Sequence, residues 1–94
     1  MAKIERALRL SNLNLPPRPK VERIEWWETV DSVDDPAIDV TVVLADETRD
    51  DERHWVQLKP ISDAIFAAVR KVGDERFPYI RFVTNAELAS EKAA

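Results

Sequence analysis

HWVQLKPISDAIFAAVRKVG, residues 54–73, is the stretch on which the fold turns. Trp55, Leu58, Ile61, Ile65, Val69 and Val72 recur at steps of 3, 3, 4, 4 and 3. That rhythm lays them along one side of a helix with about 3.6 residues per turn. Gln57, Lys59, Asp63, Arg70 and Lys71 fall mostly on the opposite side, with the basic pair in the last turn, where it opposes the negative end of the helix dipole. The chain's single glycine, Gly73, follows at once. A residue just past a helix end often turns left-handed, which glycine does without a Cβ clash, so Gly73 is predicted to cap the helix.

Pro60 interrupts this reading, because a proline inside a helix lacks an N–H and presses on the carbonyl four residues back. Either the helix runs from about His54 through Pro60, or Pro60 opens it and residues 53–58 form an additional strand. The apolar spacing crosses Pro60 without a phase break, which favours the continuous helix. Thr48 and the run Asp50-Asp51-Glu52 also supply a capping side chain and first-turn carboxylates upstream.

Outward from the helix, the flanking segments alternate with a period of two. In Val21 to Val30, residues Ile24, Trp26 and Val30 share one side, with Glu28 among them, while Arg23, Glu25, Trp27 and Thr29 take the other. Asp31 to Pro36 reads as a turn. From Ala37 to Asp46, Ile38, Val40, Val42 and Leu44 alternate with Asp39, Thr41, Val43 and Ala45. After the helix, Phe77 to Thr84 sets Ile80 and Phe82 against Tyr79, Arg81 and Val83. The expectation is an α+β fold: a small two-layer ββαβ domain over residues 21–94, with strands at about 21–30, 37–46 and 77–84 and a helix at about 54–73. The helix carries the chain back, so the third strand should run parallel to the second, and a right-handed crossover places it beside the first, giving the order 2-1-3. Ile24, Trp26, Val30, Ile38, Val40, Val42, Leu44, Ile80 and Phe82 would meet the helix. A short helical turn capped by Asn85 and holding Leu88 is expected after the last strand.

Residues 1–20 read as a flexible, proline-containing arm. Ile4, Ala7 and Leu8 have helical spacing over too short a span to stand alone in water. Pro16-Pro17-Arg18-Pro19 then forces an extended segment with no ladder to join.

Ninety-four residues, 45% of them apolar, make one domain with one modest core. With no cysteine, disulfide frameworks, thiolate zinc sites and cysteine nucleophiles are excluded, and a reducing, cytoplasmic setting is expected. No stretch approaches the roughly 20 apolar residues of a membrane span. The net charge of −4 is unevenly spread, with +4 over residues 1–23, −9 over 24–53 and +1 over 54–94. A basic arm for an acidic partner would look like this, as would a solvated acidic loop on a soluble domain.

Four kinds of site are open to such a sequence. With one helix available, the other side of the sheet would present Trp27, Val43, Tyr79, Arg81 and Val83, and a contiguous patch with two aromatic rings there points to burial against a protein partner or a second copy. The chain's own tails, with Leu8, Leu10, Leu13 and Leu15, are the alternative cover. If residues 53–59 were a strand, Asp39 or Asp46 with Gln57-Leu58-Lys59 would resemble the core of restriction-endonuclease-like nucleases. That resemblance implies a divalent metal held by the acid and the triplet, although glutamine replaces the usual second carboxylate and Pro60 abuts the lysine. The carboxylates Asp46, Glu47, Asp50, Asp51 and Glu52 lack the spacing of a calcium loop, and His54, the only histidine, has no partner ligand or nucleophile, so neither a metal nor a cofactor is expected. Phe77, Tyr79 and Arg81 could stack bases, but the neighbouring acidic strand repels phosphate, and nucleic acid binding through the arm is not the expectation. The segment Phe77-Pro78-Tyr79-Ile80-Arg81-Phe82-Val83 with its preceding helix is similar to small bacterial proteins of unknown function, a likeness that implies an accessory role and carries no catalytic residues. The sequence therefore reads as a noncatalytic interaction protein working through the helix-free face or an edge of its sheet, possible homodimerisation included.

Overall fold

The computed structural model describes residues 2–93, and Met1 and Ala94 lie outside the described residues. Strands β1 (Val21–Val30), β2 (Pro36–Leu44) and β3 (Phe77–Thr84) form a three-stranded mixed sheet. Helix α2 (Trp55–Lys71) is the main helix, α1 (Ala2–Ala7) precedes the sheet, α3 (Asn85–Ala93) follows it, and one-turn 3-10 helices occupy Leu10–Asn12 and Asp50–Arg53.

The hairpin of β1 and β2 is set by Asp31, whose carboxylate accepts from the Val33 and Asp35 N–H groups at 2.9 and 3.0 Å. Asp34 completes the turn at φ 65°, a left-handed position that aspartate tolerates better than most residues. β3 runs parallel to β2, as the crossover through α2 requires.

The strand order is β1-β2-β3, which corrects the expected 2-1-3. Handedness and direction allow β3 to lie beside either strand of the hairpin; burial decides between them. β2 is the strand apolar on both sides, with Ile38, Val40, Val42 and Leu44 buried on one and Ala37, Val43 and Ala45 on the other. Only the central position keeps both sides and both hydrogen-bonding edges of such a strand from water.

The apolar stripe of α2 packs on the first of those sides, where Leu58, Ile61, Ile65 and Val69 join Ile38, Val40, Val42 and Leu44, flanked by half-buried Ile24, Trp26, Ile80 and Phe82. The helix passes through Pro60 without a break. Pro60 is its sixth residue, and the carbonyl left without a donor belongs to exposed Val56, where water can serve it. Residues 55–59 are thus helical, and the additional strand does not form. Along the stripe burial begins at Leu58: Trp55, at the head of the helix, is 60% exposed, and Val30, expected inside, is 58% exposed.

Gly73 ends α2 at φ 78°. Its N–H reaches the Arg70 carbonyl at 2.9 Å and that of Asp74 reaches the Val69 carbonyl at 3.2 Å, the paired bonds of a Schellman cap. Beyond it, Arg76 clamps Asp74 at 2.7 Å and Glu28 at 2.9 Å. Hydrogen bonds from the Arg76 side chain, and then from its backbone N–H, hold the Asp74 carboxyl below the usual carboxylate range. Glu28, the charge on the apolar side of β1, is placed by this contact.

The segment expected as a free arm lies against the domain. Ile4 and Leu8 are each 3% exposed within the main core, Leu13 and Leu15 pack on it, and Pro19 is buried. One helix does not span the sheet, and the spacing of Ile4, Ala7 and Leu8, too short for an independent helix, supplies a ridge along the flank of α2 that tertiary contact stabilises.

Candidate interaction surface

On the side of the sheet away from α2, the register stacks four rows across the strands. They are Arg23, Val43 and Val83; Glu25, Thr41 and Arg81; Trp27, Asp39 and Tyr79; and Thr29, Ala37 and Phe77. The first row is covered from within the chain. α3 folds back over it, and Leu88 forms a small buried cluster with Val43 and Val83.

The helix that does this is anchored by a reciprocal capping box. The Thr84 hydroxyl accepts from the Glu87 N–H at 3.2 Å, and the Glu87 carboxylate accepts from the Thr84 N–H at 2.9 Å. Asp46, two residues beyond the end of β2, accepts from the Ala86 N–H at 3.0 Å. Arg53, in the turn before α2, donates to both Glu87 oxygens at 2.9 and 3.0 Å and to the Phe82 carbonyl at 3.2 Å. The bonds from Arg53 and then from the Thr84 N–H lower the Glu87 pKa below its ordinary value. The cap is therefore Thr84, not Asn85, whose side chain instead accepts from Arg23 at 2.7 Å. The sequence Thr84-Asn85-Ala86-Glu87 carries the signature of that box, the signal by which Thr84 and Glu87 could have been found.

Cover gives out along the second row, where Arg81 bridges the sheet and α3. Its guanidinium donates to both oxygens of Glu91 at 3.1 Å and to the Thr41 hydroxyl at 3.3 Å. The third and fourth rows are open. Trp27, Tyr79 and Phe77 are 46%, 45% and 46% exposed. Tyr79 and Phe77 lie with ring centroids 4.7 Å apart, and Phe77 meets Phe66 of α2 edge-on at 5.4 Å. Trp27 and Tyr79 wall a shallow cleft of about 330 Å³ with Asp39, Thr41 and Arg81 along it. The indole N–H of Trp27 donates to Asp39 at 3.1 Å, which fixes the ring over the sheet.

Of the five residues predicted for an interaction, the structure brings Trp27, Tyr79 and Arg81 to one cleft and sets Val43 and Val83 beneath Leu88. The sequence offers Asp39 for metal binding and Phe77, with Tyr79 and Arg81, for base stacking, and neither for a protein contact. The alternation of side chains along β2 and β3 puts both on this face whatever the strand order.

The residues of the nuclease layout do not assemble. Lys59 pairs with Asp63 at 2.8 Å on the exposed side of α2, Gln57 is exposed two residues before Lys59, Asp39 holds Trp27 and Asp46 caps α3. Among the described residues no group of three or more His, Asp or Glu side chains is placed to hold a metal ion. The acidic run is partly neutralised in place, with Arg49 on Asp51 at 2.6 Å and Arg18 on Glu52 at 2.8 Å. Among the described residues no helix is long and apolar enough to cross a membrane.

Comparison with protein-family models, with curated proteins and with solved structures gives no match for this chain, so the surface is argued from its own geometry.

Proposed function

We propose that this chain is a noncatalytic interaction protein that buries the open half of its α2-free sheet face against another protein chain. One observation carries the reading: Trp27, Phe77 and Tyr79, three large rings on two strands flanking Asp39, stay nearly half exposed while the adjoining half of the same face is sealed by α3. Aromatic side chains around a few fixed polar groups are the usual make-up of a protein contact, since they bury much area for little lost side-chain freedom. A cysteine-free chain suits a reducing compartment, and cytoplasm is the setting we assign to it.

The test pairs static light scattering with a pull-down, using the wild type and a Trp27→Ser/Tyr79→Ser double variant. Self-association or a retained partner that disappears in the variant, with circular dichroism unchanged, supports the reading. A wild type that stays monomeric and retains nothing in the pull-down refutes it.

A further inference from the structure

The two outer edges of the sheet are finished differently. The Asp31 N–H donates to the Asp35 carbonyl at 2.9 Å, so the odd-numbered residues of β1 bond to β2 and Ile24, Trp26, Glu28 and Val30 turn their backbone groups outward. By the same alternation, the even-numbered residues of β3 face outward. That edge is obstructed at three points. Pro78 has no N–H, the Phe82 carbonyl is held by Arg53 and the Thr84 N–H is held by Glu87. The β1 edge, ten residues long without proline or glycine, has no such cover. Among the described residues, the only further hydrogen bond to its outward backbone groups is a 3.4 Å approach of the Thr29 hydroxyl to the Val30 carbonyl. A long bare edge of this kind is a template for another strand.

We propose that β1 pairs antiparallel with β1 of a second copy about a two-fold axis through Trp27, making one continuous six-stranded sheet. This goes beyond the reading above: it uses the β1 edge rather than the open face, and of the three exposed rings it covers Trp27 alone. Ladder bonds form only where outward groups meet outward groups, so the axis passes through a residue and registers move in whole steps. With the axis at Trp27, Ile24 faces Val30, Glu25 faces Thr29, Trp26 faces Glu28 and Arg23 faces Asp31. The pairing uses only the regular part of β1, leaving the irregularity between Val21 and Arg23 outside it. It sets an apolar pair on the α2 side and an opposite-charge pair at each end. It also covers the two apolar residues that β1 leaves most exposed, Trp27 and Val30. Moving the axis to Glu28 opposes two carboxylates. Moving it to Trp26 sets Glu28 against Ile24 and pushes Val30 onto Glu22 in the irregular stretch, and a further step opposes Glu25 to itself.

The absence of cysteine makes the register directly testable. Trp27 would sit in a non-hydrogen-bonded pair at the axis, where Cβ atoms approach to about 4.5–5.5 Å, close to bridging reach. Trp27→Cys should therefore oxidise to a covalent dimer, whereas Glu25→Cys and Thr29→Cys should each stay single alone and cross-link when mixed. In light scattering, the wild type and Tyr79→Ser should show twice the chain mass. Val30→Pro, which removes an outward N–H, and Trp27→Lys, which sets two ammonium groups at the axis, should show the single mass with circular dichroism unchanged. A wild type of single mass at every concentration, or Glu25→Cys cross-linking with itself as readily as Trp27→Cys, overturns the pairing. If Tyr79→Ser dissociates the dimer and Val30→Pro does not, self-association uses the open face: the edge pairing falls and the broader interaction reading stands. If the wild type is single and the Trp27→Ser/Tyr79→Ser variant keeps whatever partner the wild type retains, both fall.

Discussion

The two sides of the sheet share one central strand and are covered by opposite means. On the α2 side a long helix meets every strand through Leu58, Ile61, Ile65 and Val69, and the buried cluster is continuous with Ile4 and Leu8. On the other side a nine-residue helix contributes Leu88 to a cluster of three and is otherwise held by hydrogen bonds and ion pairs at its ends. The difference shows what each cover can do. Apolar area closes a face for good, whereas a polar anchorage closes part of a face and leaves the rest for another molecule.

The comparison predicts unequal losses. Ile65→Ala removes methyl groups from a fully buried position in the continuous core and should destabilise by about 2–5 kcal/mol in a urea melt. Leu88→Ala should fall at the low end, about 2 kcal/mol, because its cluster lies near the surface and can relax. Amide exchange after that substitution should rise over α3, Val43 and Val83 while the amides of α2 hold. A loss as large as that of Ile65→Ala would mean that the two covers are equivalent and the contrast is wrong.

Smaller effects sharpen the contrast. Thr84→Ala breaks the capping box and should cost about 1 kcal/mol, expressed mainly as fraying of α3 in its helical chemical shifts. Acid should work on the same helix. The folded-state pKa of Glu87 is depressed, so its contribution is present above the unfolded carboxylate value of about 4.3 and is lost as pH falls through the lower folded value. Glu87 is 45% exposed, so water screens the pair and the effect should stay below about 1 kcal/mol. As pH falls below the unfolded carboxylate value, α3 should therefore loosen before α2 does. Simultaneous loss of both helices in NMR spectra would remove the distinction.

How much of this was legible in the sequence depends on the distance over which each signal acts. The spacing of Leu58, Ile61, Ile65 and Val69 fixed the buried side of α2 because phase is a local property. It could not show that Trp55, in phase with them, stands 60% exposed at the start of the helix, because that depends on how far cover extends beyond it. Strand order was underdetermined, since the hairpin and the crossover fit both arrangements. The informative sign was Val43 and Ala45 on the supposedly open side of β2, an apolar back that an edge strand would not be expected to carry. The arm was misread because Ile4 and Leu8 are stabilised by α2 rather than by their own segment. The contacts of Arg53 with Glu87 and Phe82 join distant parts of the chain, and no local pattern announces them.

The parallel pairing of β3 with β2 also sets the order in which the sheet can form. Within the hairpin Val30 meets Pro36 six positions away, whereas Ala37 meets Phe77 forty positions later. Closing the longer loop loses more chain entropy before any contact compensates it, so the hairpin should form early and β3 should dock late, once α2 has brought the chain back. Substitutions in β3 such as Phe82→Ala should then speed unfolding and leave the refolding rate near that of the wild type, while Ile38→Val in β2 should slow refolding. Until β3 arrives, the second edge of β2 is bare, and the slow step of folding is also the moment at which the chain is most exposed to pairing with the wrong strand.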